Sequence, residues 1–261
     1  MSQVQPTPRD HLSVSQINLY LLCPQKYAFS YVEKLERPFK PIGWAFGSAM
    51  HSAIEWLNRE RKAGRTPEAL ELWRIFLADW DAQKVETLLL KGVDDEAVLF
   101  RQGKELLGLY YAEAANRPPP QSVELPFKVN LVDHETGETL DLPLEGAIDL
   151  VEKGDTVVEI KTTSRAFSQL QLDQHLQITA YAYAYEALYK RKPRLVLESL
   201  FKGKKSRIER TEVKRTKDDH ARFFHIAKAV LKAIRSGNFH PNPGWQCADC
   251  EFFAACQKWR G

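Results

Sequence analysis

The chain has 261 residues, 44% hydrophobic and 27% charged, with 37 Lys+Arg against 34 Asp+Glu. That apolar share supports a sizeable core and excludes disorder over most of the length, which suits one large domain or a domain plus an elaboration. No apolar run reaches the ~18 residues that span a bilayer, and the opening MSQVQPTPRDH is polar, so a soluble, cytoplasmic protein with no membrane partner is expected.

In chain order, residues 1–11 read as a flexible arm. Ser13 or Ser15 caps a helix through INLYLL, with Gln16 completing a capping box from Ser13. Pro24 interrupts it, QKYAFSYVEKL reads as further helix, and the prolines and glycine of 35–43 predict a loop. A helix follows over about 45–62, with His51, Ile54 and Leu57 at helical spacing. Thr66-Pro67-Glu68 is a helix start with Pro at the first position. Residues 67–90 and 95–116 predict two helices, stopped by Pro118-Pro119-Pro120. The pattern then changes to period two. SVELPFKVNLV and TLDLPLEGAIDLVE read as strands, and Lys153-Gly154-Asp155 is a tight turn into the strand TVVEIKTT. Residues 169–190 predict one helix, RLVLESLF and SRIERTEV two strands, and Asp218 to Ser236 an amphipathic helix ended by Gly237. Helices, then a mixed sheet with a crossover helix, then a C-terminal helix make an α/β layout.

The charge is unevenly spread. Lys190 to Lys217 holds 12 Lys/Arg against 3 Asp/Glu, so a net +3 chain carries a local +9. Such a stretch suits a polyanion ligand. Phe201 with Lys202, Lys204, Lys205 and Arg207 offers an aromatic and several cations to a single strand of nucleic acid.

The hairpin about Gly154 carries the chemistry. If it folds there, residues whose numbers sum to 308 lie opposite each other, which pairs Asp149 with Glu159. Opposed side chains sit about 5 Å apart at Cβ, so two carboxylates repel unless a positive group lies between them. Lys161 projects from the same face as Glu159, opposite to Val158 and Ile160. Two carboxylates and a lysine converging on one spot suit a hard divalent ion such as Mg²⁺. Gln177 and Tyr181, at i and i+4, share one helix face.

Four cysteines are present: Cys23, then Cys247, Cys250 and Cys256 as C-x2-C-x5-C. That spacing points to a metal, and four thiolates satisfy tetrahedral zinc or an iron–sulfur cluster equally. A shared site would close nearly the whole chain into a loop.

Together these residues resemble the RecB-type branch of the PD-(D/E)xK nuclease superfamily. The motifs are Ser13, Ser15, Tyr20, Cys23-Pro24 and Tyr27; Gly47 and His51; Gly146 and Asp149; Glu159 and Lys161; Gln177 and Tyr181; and the cysteine cluster after Gly237-Asn-Phe-His-Pro. Ile148 stands where the family pattern has its leading proline. The arrangement is similar to the nuclease domains of AddB-type helicase–nucleases and to CRISPR-associated spacer-acquisition nucleases. The resemblance implies an α/β, restriction-endonuclease-like mixed sheet flanked by helices. It implies a single nuclease domain over 12–261, with a helical insertion at about 66–117, a nuclease core at about 121–217, and a cluster-binding segment of 238–261 with Cys23. Mg²⁺ or Mn²⁺ is then held by His51, Asp149, Glu159 and the carbonyl of Ile160. Lys161, Gln177 and Tyr181 complete the catalytic group, and the four cysteines hold a [4Fe-4S] cluster, with structural zinc as the alternative. The implied activity is exonucleolytic hydrolysis of single-stranded DNA or DNA with free ends, with protein partners in a repair or CRISPR adaptation complex. The alternative is a non-catalytic DNA-binding scaffold subunit.

Overall fold

The computed structural model describes residues 10–84, 88–89, 96–203 and 205–260. These fall into two compact units. One holds the described residues up to Pro38 together with Phe127–Gly146 and those from Arg215 onward; the other holds those of Phe39–Pro126 and Ala147–Lys214.

In the first unit, α1 (Val14–Leu22) starts at Ser13, whose side chain accepts the Gln16 N–H. Cys23 ends α1 in extended backbone, and Pro24 opens α2 (Pro24–Tyr27), which runs into a π-helical turn, Ala28–Val32. The long α8 (Lys217–Arg235) begins with a capping box between Thr216 and Asp219 and buries one apolar stripe, including Phe223, Phe224, Ala227 and Leu231. A 3₁₀ turn (Trp245–Asp249) and α9 (Phe253–Cys256) carry the C-terminal cysteines.

In the second unit, β1 (Lys40–Pro41) pairs in parallel with β2 (Leu88–Leu89). Three helices follow the amphipathic pattern: α3 (Ile42–Lys62), α4 (Ala69–Gln83) and α5 (Glu96–Ala115). Ala45, Ala49 and Ala53 line a fully buried edge of α3. Trp73, Phe76 and Trp80 stack along α4, with Phe100 edge-on to all three. Such ring geometries add stabilisation beyond the area they bury. Expected Pro67 is not the first helical residue: Glu68 caps α4, exchanging hydrogen bonds with Glu71.

The five-stranded sheet has the order β3-β4-β5-β6-β7, with β3 at Ser122–Val129, β4 at Leu144–Glu152, β5 at Thr156–Thr163, β6 at Arg194–Phe201 and β7 at Arg207–Val213. β4–β5 and β6–β7 are antiparallel, whereas β5 and β6 are parallel. A parallel pair needs a crossover, supplied by α6 (Gln169–Asp173) and α7 (Leu176–Tyr189). This is an α/β, restriction-endonuclease-like mixed sheet flanked by helices. The single helix expected over 169–190 is broken because His175 takes an extended conformation, its ring accepting the Ile178 N–H to cap α7. Central β5 is buried from Thr156 to Ile160, so the acid-bearing face of VVEIK is an interior face rather than a solvated one.

Among the described residues, no helix is long and apolar enough to cross a membrane.

Candidate active site

The β4–β5 register is the expected one: Leu150 opposes Val158, Val151 opposes Val157 and Glu152 opposes Thr156. The turn between them uses positive φ at Gly154 (80°) and Asp155 (56°), which glycine and aspartate tolerate. Asp155 is pinned by the Tyr185 hydroxyl at 2.6 Å and by Arg191 at 3.0 Å. That fixes the hairpin against α7. Burial, and then Asp155, push the Tyr185 hydroxyl up to about 12.

Beyond Leu150 a side chain takes over from the backbone. Asp149 Oδ2 accepts the Ile160 N–H at 2.8 Å, and its Oδ1 accepts the Tyr181 hydroxyl at 2.7 Å. Tyr181 is buried, and Gln177, one turn earlier, hydrogen-bonds to it. Burial, reinforced by the charges of Glu159 and Asp149, holds the Tyr181 phenol far above its ordinary range.

Glu159 is 1% exposed. Lys161 Nζ pairs with its Oε1 at 2.5 Å, and the Tyr181 hydroxyl also reaches the carboxylate. Burial first, and the Asp149 charge second, push the Glu159 carboxyl up to about 7, against the pull of Lys161. Burial opposes the Lys161 charge, but Glu159 and Asp149 outweigh it and hold the ammonium above its ordinary range.

His51, on α3, lies with Nε2 2.8 Å from Glu124 Oε1. That hydrogen bond, helped by the charges of Asp149, Glu124 and Glu159, raises the imidazole to about 9 against the cost of burial. The ligating atoms of His51, Glu124 and Asp149 all lie within 4.8 Å of one another. Oxygen and imidazole donors, with the buried Glu159 carboxylate beside them, fit a divalent cation such as Mg²⁺ or Mn²⁺.

The sequence-derived residues Asp149, Glu159, Lys161, His51, Gln177 and Tyr181 are thus brought together, with Ile160 contributing its N–H to the group. Glu124 was not anticipated. In SVELPFKV it reads as an ordinary strand residue; in the structure it has φ +46°, which no periodicity reveals.

The basic stretch is less open than its charge count implies. Arg191, Arg194, Arg207 and Arg210 pair with Asp155, Glu212, Glu209 and Glu152. Lys202 lies 5.1 Å from the centre of the Phe46 ring on α3, and Lys205 is exposed. Lys204 lies outside the described residues. Phe201 is buried, with the Arg207 guanidinium over its ring at 4.0 Å, so it is not an open stacking platform as expected.

In the other unit, Cys23, Cys247, Cys250 and Cys256 line one cavity of about 390 Å³, with Lys26 in its wall. The N- and C-terminal segments are clasped around it. Tyr20 donates to the Asn238 carbonyl at 2.6 Å, Gln25 N–H to His240 O at 3.0 Å, and Asn242 to Leu22 O at 3.0 Å. Lys26 pairs with buried Glu251 at 2.7 Å. Burial raises the Cys250 and Cys256 thiols, and the neighbouring cysteines raise Cys256 further.

A hairpin presenting acid, acid and lysine on a mixed sheet, joined by a crossover helix that supplies Gln and Tyr, defines a nuclease fold. The family model of the PD-(D/E)XK nuclease superfamily matches residues 11–257, and the chain belongs to that superfamily. Membership makes it a phosphodiester-cleaving nuclease of a divalent-metal-dependent class, with DNA as the family's substrate. No curated protein matches the chain. Among solved structures, one from Eubacterium rectale, described provisionally as an exonuclease, aligns over 99% of this chain and 91% of its own. Its TM-score is 0.59 and its identity 13%, a likeness of fold. A second, SSO0001, covers 93% of this chain and 92% of its own at 13% identity, but its TM-score of 0.37 supports no conclusion.

Proposed function

We propose that the chain is a metal-dependent deoxyribonuclease of the RecB-like type, acting as an exonuclease on single-stranded DNA ends in repair, recombination or spacer acquisition. The reading is carried by one observation: Glu159, buried in β5 and paired with Lys161, lies beside a second carboxylate, Asp149. The exonuclease description of the Eubacterium rectale neighbour agrees with it.

Asp149, Glu159, His51 and the Ile160 carbonyl would hold Mg²⁺ or Mn²⁺. When bound, such an ion supplies an acidified water and neutralises charge on the scissile phosphate. The chain's own residues set the geometry. Tyr181 and the Ile160 N–H each fix one Asp149 oxygen, so that carboxylate is preorganised before any ligand arrives. Gln177 in turn holds Tyr181. The Lys161 ammonium, charged throughout the neutral range, orients the attacking water and stabilises the growing charge on phosphate. Lys202, Lys204, Lys205 and Arg207 contact the DNA backbone.

The second reading, a non-catalytic scaffold, leaves Glu159 unexplained. A buried carboxylate held near pH 7 costs folding free energy, and a pure DNA binder gains nothing from it.

The four cysteines would hold a [4Fe-4S] cluster. All four line one cavity, which supports a single shared site, with structural zinc as the alternative.

The test is digestion of single-stranded DNA, labelled at either end, with Mg²⁺ or Mn²⁺. The wild type is expected to release short products from one end, and Asp149→Asn and Lys161→Ala to release none while remaining folded. Undiminished digestion by either variant would remove the assignment.

A further inference from the structure

The basic loop lacks the open aromatic expected of it, because Phe201 is buried. Another ring is open. Among the described residues of the second unit, no aromatic side chain is more exposed than Trp44, at 47%. It stands in the first turn of α3, a helix with two distinct faces. One face is buried, through Ile42, Ala45, Phe46, Ala49 and Met50. The other carries Trp44, Gly47, Ser48 and His51, all exposed or half-buried. Seven residues make about two turns, so Trp44 and His51 lie in line, about 10.5 Å apart along the helix axis.

The surface between them is low. A Cβ built on Gly47 would meet no atom within 4 Å, and Gly47 is in ordinary helical conformation. Glycine weakens a helix interior relative to alanine, and here neither packing nor a positive φ asks for it. Glycine is also the residue that lets a ligand come close to the backbone. Ser48, beside it, is short and tied down by Gln83 at 3.2 Å. A cation meets the same end of the helix. Lys202, in the loop after β6, lies 5.1 Å from the ring centre of Phe46, two residues on from Trp44. An exposed indole, a low stretch of helix and the imidazole of the acid cluster therefore follow one another on one face, with an ammonium at the end where the indole stands.

We infer that Trp44 is a stacking platform for an unpaired base of the DNA strand, and that the face of α3 from Trp44 to His51 is the surface along which that strand reaches the scissile position. The inference rests on the nuclease reading above and adds to it a reason for preferring single strands. A base inside a duplex has both faces covered by its neighbours, whereas an unstacked base can turn one face to an aromatic ring. Every base has such a face, so the contact selects for strandedness and not for sequence.

The experiment compares the full-length wild type with Trp44→Ala, Trp44→Leu and Trp44→Phe, with thermal melts as the check on folding. The probe is an end-labelled single-stranded oligonucleotide, intact or with one base removed at successive positions from either end. Affinity is read in EDTA by fluorescence anisotropy and in Mn²⁺ as KM, with kcat alongside. Trp44→Ala and Trp44→Leu are expected to hold the intact strand roughly 5- to 150-fold more weakly, and Trp44→Phe to lose less. Their salt slope should match the wild type, since a ring releases no counterions. Removal of one particular base should weaken the wild type and leave Trp44→Ala and Trp44→Leu unaffected, a coupling that a merely structural role for the ring would not produce. A wild type that binds or cuts the strand, with every missing-base penalty the same in Trp44→Leu, overturns the inference and leaves the nuclease reading standing. Equal affinity in wild type and folded Trp44→Leu overturns it as well. A wild type that neither binds nor cuts DNA removes both. Leucine keeps apolar bulk without a ring face, so the leucine and phenylalanine variants decide even if the alanine variant fails to fold.

Discussion

Replacing Glu159 by glutamine is expected to stabilise the metal-free protein while abolishing cleavage. The Glu159 carboxyl is displaced from 4.5 to about 7 by burial and by Asp149. At ~1.4 kcal/mol per pH unit, that displacement is a cost of about 3 kcal/mol once the group is ionised in the fold. Below pH 4.5 the group is protonated in the folded and unfolded chain alike, and nothing is lost. Between pH 4.5 and 7 the unfolded chain gives up its proton first, so stability falls as pH rises. Above pH 7 both states are ionised and the whole cost is present. Glutamine has no such dependence, but it removes the Lys161 ion pair. The net gain at pH 8 is therefore about 1–3 kcal/mol. Urea unfolding in EDTA at pH 4.5 and pH 8 measures it. The gap should open between the two pH values, and added Mn²⁺ should reverse the ranking, because only the wild type gains full binding free energy. A variant less stable than wild type at pH 8 without metal, or a gap equal at both pH values, would refute the reasoning.

Three further outcomes are expected. Protein purified without oxygen should be brown with about four irons per chain, and Cys23→Ser should lose iron as fully as Cys250→Ser; a colourless protein with one zinc would overturn the cluster. Arg117→Ala should cost about 2–3 kcal/mol in urea unfolding, since Arg117 lies 2.5 Å from a Glu198 side chain that is 0% exposed, leaving only the longer Arg210 contact at 3.2 Å. For single-stranded DNA, the log–log salt slope should fall by about 1.4 in Lys202→Ala/Lys205→Ala and by less in Arg207→Ala, because Arg207 is already paired with Glu209. An unchanged slope in the lysine double variant would take that loop off the DNA path.

The acid-bearing hairpin was legible because its information is local. Glycine at the bend and strict alternation set the register up to Leu150 and Val158, and the next residues on the two strands are Asp149 and Glu159. Gln177 and Tyr181 were legible for the same reason, one helical turn being a fixed spacing. Glu124 was not, because its placement depends on a single left-handed residue inside a strand, and alternation carries no trace of one. The break between α6 and α7 escaped for a related reason: His175 caps with its ring, a role that residue type rarely announces. The basic stretch was legible as composition but not as a surface, since two of its arginine partners, Glu152 and Asp155, come from the hairpin rather than from the stretch itself. The burial of Phe201 likewise reflects the sheet's packing rather than its own neighbours in sequence.

The cavity shared by Cys23 and the three later cysteines has a consequence for biosynthesis. Roughly 220 residues separate the first thiol from the second, and at ~5–20 residues per second a ribosome needs roughly 10–45 s to bridge that interval. Throughout it, Cys23 has emerged without companions, and no machinery that delivers iron or zinc can be handed a finished binding site. Loading must follow translation of the last cysteine. If the cysteines hold iron, as proposed, a cell short of iron would then accumulate chains complete in sequence but lacking the cluster, rather than chains stalled midway.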